Sequence, residues 1–199
     1  MQTTFSRLSG ESKDTDSAQT GHGTIIASCA AGQRYGVAKE ATLISAKSTY
    51  KSTDAVQSII DLCDHIKASG RVKKSVVVMS WGITSLGYTL DAYDDIAADL
   101  EDAMYSCLEA GVPFVLAAGN NATPGRTSFN SIPQTMNNDK FPLIIVGNSD
   151  KNGNRWHNSQ DGRGLTLYAP GVGVKGLNKY GSEQEVTGTS ACTFTRHYK

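Results

Sequence analysis

Val76 to Met79 is apolar at four consecutive positions. A half-exposed strand alternates apolar with polar residues, so an unbroken β-branched run suits a parallel strand covered on both faces, and it is expected to lie centrally in its sheet. Val112 to Ala117 and Leu143 to Val146 repeat the pattern, and Leu165 to Tyr168 and Ala41 to Ala46 read as shorter strands. Helical spacing fills the intervals. Val56, Ile59, Ile60, Cys63 and Ile66 share one face of a helix opening at Thr53 or Asp54. Ile96, Leu100, Ala103, Met104, Cys107 and Leu108 do the same from about Asp91 to Glu109, with Asp94, Asp95, Asp99 and Glu101 on the solvent side. Strands alternating with amphipathic helices specify a three-layer α/β domain around a mainly parallel sheet. Its right-handed crossovers gather ligand-binding loops at the carboxyl ends of the strands.

With 199 residues and 39% apolar content, the chain suits one such domain. Its 19 basic and 19 acidic side chains cancel, which leaves no field to favour nucleic acid or an anionic membrane. No apolar run approaches the ~20 residues of a membrane-spanning helix. Residues 1–20 are polar and lack both apolar periodicity and a secretory h-region, so they read as a flexible segment preceding a domain at 21–199. Four cysteines, Cys29, Cys63, Cys107 and Cys192, show neither zinc-site nor disulfide-framework spacing and read as buried thiols. His65, His157 and His197 have no metal partner set, and the run from Asp150 to Arg155 lacks the closing Glu of a calcium loop and reads as a surface turn. No metal or cofactor is expected, and the oligomeric state is not readable.

Three loop segments carry chemistry. Gly21-His22-Gly23-Thr24 precedes a compact small-residue run ending at Gly32, which places His22 at the N-terminus of a short buried helix. Ala117-Ala118-Gly119-Asn120 closes an apolar strand, and Gly188-Thr189-Ser190-Ala191 sits in a glycine-flanked turn. A serine hydroxyl attacks a carbonyl only when a base takes its proton, and an imidazole serves that purpose. The oxyanion so formed needs a pre-placed donor. Ser190, His22 and Asn120 are the candidate nucleophile, base and donor, with the Ser190 backbone N–H as a second donor.

In this order the segments resemble the subtilisin-like serine peptidases, the subtilases. The family's histidine motif is similar to His22-Gly23-Thr24-Ile25-Ile26-Ala27, its substrate strand to Val77-Val78-Met79-Ser80-Trp81-Gly82, its oxyanion motif to Ala117 through Asn120, and its nucleophile motif to Gly188-Thr189-Ser190. Gly36-Val37-Ala38, Phe141 to Gly147 and Tyr168 to Gly171 add to a likeness that runs from about Gly21 to Ser190. The resemblance implies a serine endopeptidase with a polypeptide substrate, catalytic His22, Asn120 and Ser190, and a substrate-binding set of Ser80, Trp81, Gly82, Ala117, Ala118 and Gly119. Small residues at positions 117–119 imply room for a large apolar side chain before the cut. An extracellular location is also implied.

Two departures accompany the likeness. The family's acid lies on a first strand, in an apolar run ending Asp-Thr/Ser-Gly; Asp14-Thr15-Asp16 has neither the run nor the glycine. The family's nucleophile opens a long buried helix, whereas nine residues follow Ser190. The expectation is therefore a subtilisin-like domain lacking its Asp-bearing first strand and most of the helix after the nucleophile. The alternatives are a non-catalytic relative that binds extended peptides and a truncated product without stable activity.

Overall fold

The computed structural model describes residues 4–6, 21–48 and 51–194. Four parallel strands, Val77–Met79, Phe114–Ala117, Ile144–Ser149 and Leu165–Pro170, form the principal sheet in that order and are β3, β5, β7 and β8. Before them in the chain come β1 (Thr4–Ser6), α1 (His22–Ala31), β2 (Ile44–Ala46) and α2 (Ser52–Ala68). Next are β3 (Val77–Met79), β4 (Ile83–Thr84), α3 (Leu90–Glu109), β5 (Phe114–Ala117), β6 (Ser131–Ile132), β7 (Ile144–Ser149) and β8 (Leu165–Pro170). The described chain closes with β9 (Val174–Leu177), β10 (Glu183–Val186) and α4 (Thr189–Cys192).

The expected α/β architecture holds, and its core follows from the apolar runs. Ile59, Cys63 and Ile66 of α2 and Leu100, Met104 and Cys107 of α3 pack in one cluster with Val77, Met79, Phe114, Leu116 and Ile145 of the sheet. Met104, wholly enclosed, carries about 2–5 kcal/mol against truncation to Ala. α3 begins where Thr89 accepts a hydrogen bond from the Ala92 N–H at 3.3 Å, a side-chain cap for an otherwise orphaned donor.

Three findings differ from the sequence reading. Among the described residues β3 lies at one end of its sheet, bonded to β5 alone, where a central position was expected for Val76 to Met79; Val76 lies outside the strand and is 54% exposed. Within the segment read as flexible, β1 pairs in parallel with β2, Phe5 opposite Ser45. That ladder joins backbone some forty residues apart, which no local apolar pattern announces. Cys63 and Cys107, read as free thiols, form a disulfide between α2 and α3 with Cα atoms 5.5 Å apart. The facing of two helices decides that pairing, and spacing along the chain does not reveal it. Cys29 and Cys192 are buried thiols outside the disulfide, and burial pushes the Cys192 thiol up to about 12.

The antiparallel hairpin β9–β10 also carried no apolar signal. It packs on α1, where Gly176 lies against Ile25 and Cys29; a Cβ there would meet Ile25 Cγ1 at 2.8 Å. Ser28 Oγ accepts from the Leu177 N–H at 2.9 Å. Glu183 of β10 binds Tyr35 Oη, Arg34 and Lys175, tying the hairpin to the loop after α1. The helix that starts at His22 is thus fastened to the hairpin that leads into Ser190.

Candidate active site

The carboxyl ends of β3 and β5 and the first turn of α4 meet in a cleft of about 140 Å³, which Ser190 lines. Ser80, just past β3, links to α4 through three contacts. The Ser190 hydroxyl donates to the Ser80 carbonyl at 3.0 Å, and Ser80 Oγ lies 3.4 Å from both the Ser190 carbonyl oxygen and Thr193 Oγ1. Trp81 and Gly82 continue along the same wall.

On the facing side, Asn120 is oriented without ambiguity. Its Oδ1 accepts from the Thr189 N–H at 2.9 Å and from Thr189 Oγ1 at 3.2 Å. A backbone N–H can only donate, so the oxygen must face Thr189 and Nδ2 must face away from it. Thr189 Oγ1 in turn accepts from the Gly119 N–H at 3.1 Å. Wholly buried Thr189 therefore stitches the loop after β5 to the start of α4, and both Asn120 and Ser190 depend on it. Among the described residues, Asn120 Nδ2 makes no hydrogen bond, and Asn120 lines the cleft with Ser190.

His22 is the first residue of α1, behind Gly21 in the left-handed conformation (φ 63°). It is exposed, and α1 touches α4. It does not line the cleft around Ser190. Asp14 and Asp16 lie outside the described residues.

The expected pocket wall is partly corrected. Ala117 and Gly119 line the cleft, whereas the Ala118 side chain is wholly enclosed in the core cluster. The lining is also polar where an apolar slot was expected. Gln134 and Gln160, each 2% exposed, stand in it with Ser131 and Asn130. Gln134 Nε2 donates to the Ala117 carbonyl at 2.8 Å and the Trp81 carbonyl at 3.2 Å, bridging both walls, and its Oε1 accepts from Ser131 Oγ at 2.9 Å. Gln160 Nε2 donates to the Ser128 carbonyl at 2.8 Å and to Asn130 Oδ1 at 2.9 Å. Its Oε1 overhangs Gly119, whose φ of 106° and lack of Cβ make the approach possible. Sequence reading passed over these glutamines because they lie in Asn- and Gly-rich loops, where residue type marks a turn and not a buried amide. The Pro133-Gln134 turn gives no signal that would have set it apart.

The Asp150 carboxylate organises a surface turn, accepting from the N–H groups of Asn152 and Asn154, and the Asn154 side-chain amide foremost holds its carboxyl below the usual range.

The parallel α/β sheet, with the Thr189–Cys192 helix and Asn120 at its strand ends, has the subtilisin-like fold. A family model described as "Subtilase family" matches residues 3–194, beginning earlier than the likeness read from motifs. The chain belongs to the subtilase family. Subtilisin-like protease 2 of Pseudogymnoascus destructans is 32% identical over 185 residues, which cover 92% of this chain and 41% of that protein. Subtilisin-like protease 2 of Arthroderma otae is 31% identical over 184 residues, covering 87% and 38%. The chain thus spans about two fifths of the length of the curated relatives it matches. Among solved structures, a cold adapted subtilisin-like serine proteinase aligns with a TM-score of 0.65 and 24% identity over 86% of this chain and 56% of that one. Prenylagaramide maturation protease PagA aligns with a TM-score of 0.68 and 21% identity over 96% and 64%. These two show the fold alone.

Proposed function

We propose that this chain carries the acyl-transfer centre of a serine endopeptidase, with Ser190 as nucleophile, His22 as general base and acid, and Asn120 as oxyanion donor. Ser190 Oγ forms a bond to the scissile carbonyl carbon while its proton passes to the His22 imidazole. The oxyanion of the tetrahedral intermediate accepts from Asn120 Nδ2 and from the Ser190 backbone N–H, which has no partner one turn earlier in α4. Collapse breaks the C–N bond, and the departing amine takes the proton from His22. Water then attacks the acyl carbon, gives its proton to His22, and Ser190 recovers that proton as the acid product leaves. Attack requires the Ser190 hydroxyl to turn from the Ser80 carbonyl toward the imidazole. The substrate lies extended beside Ser80 to Gly82 and pairs through its main chain.

The observation that carries this reading is the committed orientation of Asn120. Its oxygen is held by Thr189, which leaves two amide hydrogens for a charge developing beside Ser190. Incubating the protein with an unfolded protein substrate, and mapping new termini by mass spectrometry, tests it. Cleavage that disappears in Ser190→Ala is expected; cleavage that persists in that variant refutes the assignment.

A second reading, a relative that binds extended peptides without cutting them, is favoured by one observation: the Ser190 proton is already engaged by the Ser80 carbonyl. Peptide capture without hydrolysis by the parent chain separates the two. An extracellular location is part of the proposal, supported by the Cys63–Cys107 disulfide, since such bonds persist in oxidising compartments. Among the described residues no helix is long and apolar enough to cross a membrane.

A further inference from the structure

The cleft beside Ser190 has a hydrogen-bonding pattern that names what fits it. Both hydrogens of Gln134 Nε2 are spent on the Ala117 and Trp81 carbonyls, and both hydrogens of Gln160 Nε2 on Ser128 and Asn130. Main-chain carbonyls accept only, which fixes the orientation of both amides. The Ser131 hydroxyl hydrogen goes to Gln134 Oε1. The buried wall is therefore stripped of donors and presents acceptors, chiefly Gln160 Oε1 above Gly119. Asn130 is the converse: its Oδ1 is taken by Gln160, which leaves its Nδ2 as a donor at the exposed rim. Among the described residues no Asp or Glu lines the cleft.

From this pattern we infer that the cleft takes a neutral carboxamide, Gln or Asn, as the substrate side chain preceding the scissile bond. This rests on the reading of Ser190 as the centre of a peptide-binding cleft. The carboxamide nitrogen donates to Gln160 Oε1 and its oxygen accepts from Asn130 Nδ2, so both ends of the incoming group are matched. An aliphatic side chain enclosed there leaves the Gln160 oxygen without water or partner, and such a group is costly to bury. A carboxylate opposes acceptor to acceptor. An ammonium finds acceptors but no counter-charge. Sites built to hydrogen-bond a substrate group discriminate strongly against analogues that lack it.

The test uses the whole chain as Ser190→Ala, so that binding is read without turnover. Four peptides identical except for Gln, Met, Glu or Lys before the scissile position are titrated by calorimetry. Gln is expected to bind about 10–100-fold tighter than Met, which has similar length and no donor, and than Glu. Equal or weaker binding of the Gln peptide, including no measurable binding, overturns the inference. Two further variants locate the preference. Gln160→Met is expected to bring Gln and Met within about twofold of each other. Because Gln160 also ties Ser128 and Asn130, Asn130→Asp at the exposed rim is the second: it keeps the acceptor for Gln160, removes the donor and adds a charge. It should raise Lys over Gln by about tenfold relative to the parent, and an unchanged Gln-to-Lys ratio counts against the inference. Fluorophosphonate labelling of the parent chain reads the nucleophile independently. An unlabelled Ser190 with the Gln preference intact supports the cleft assignment and removes the catalytic reading. Labelling without any preference removes the cleft assignment alone.

Discussion

Breaking the Cys63–Cys107 bridge should cost the domain a large part of its stability. The bonded residues are 44 apart in sequence, and closing a loop of that length in the unfolded chain corresponds to about 4 kcal/mol in the chain-entropy account. Domains of this size have in total about 5–15 kcal/mol. Both sulfurs are enclosed in the core, so each truncation to Ala also removes about 1 kcal/mol of packing. Cys63→Ala and Cys107→Ala each break the same bond; each single variant should lose about 5 kcal/mol, and the double variant about 6, far less than their sum. Urea unfolding of the parent, both singles and the double closes the cycle, and the parent unfolded under reducing conditions should approach the double variant. Two buried thiols that are not bonded behave differently, with each substitution costing about 1 kcal/mol and the two adding within about 0.5 kcal/mol. Additive losses of that size would refute the reasoning.

Three other perturbations test separate contacts. Asn120→Ala should lower kcat on a peptide substrate by about 10²–10³-fold, the magnitude typical of removing one oxyanion donor; a loss under about threefold contradicts the proposed role. Gly119→Ala places a methyl group at φ 106° against Gln160 Oε1 and should destabilise by about 2–4 kcal/mol in thermal or urea unfolding, with unchanged stability as the contrary result. The Glu183 carboxyl is held below its usual range by the Tyr35 hydroxyl foremost and then by Lys175. A lowered carboxyl pKa stabilises above its unfolded value, near 4.5, and loses that contribution as pH falls through the folded value. Protection of the β9 and β10 amides, with exchange corrected for its intrinsic pH dependence, should therefore fall below about pH 4.5 in the parent and show no such step in Glu183→Gln.

The sheet and its helices were legible because burial leaves a periodic trace. Val77 to Met79, Phe114 to Ala117 and Ile144 to Val146 are runs that only double coverage explains, and the α3 face from Ile96 to Cys107 repeats at helical spacing. β10 left no such trace, since Glu183, Gln184 and Glu185 are exposed and its place is set by pairing with β9 and by the Tyr35 and Lys175 contacts. Ser190, Asn120 and Ser80 were legible as motif residues and do share one cleft. Gln134 and Gln160 were not, because their importance comes from carbonyls on distant segments that consume their donors. For the same reason the lining beside Ala117 and Gly119 is polar and not the apolar slot expected from those small residues, since Asn130, Ser131, Gln134 and Gln160 come from elsewhere in the chain.

The central claim is that Ser190 is a nucleophile activated by His22, and its rate of reaction with a fluorophosphonate measures this with no assumption about substrate. The account predicts a single covalent adduct on Ser190 of the folded protein, none in Ser190→Ala, and a rate about 10²–10⁴-fold lower in His22→Ala. A cooperatively folded protein that leaves Ser190 unlabelled, or labels it at a rate indifferent to His22, would contradict it.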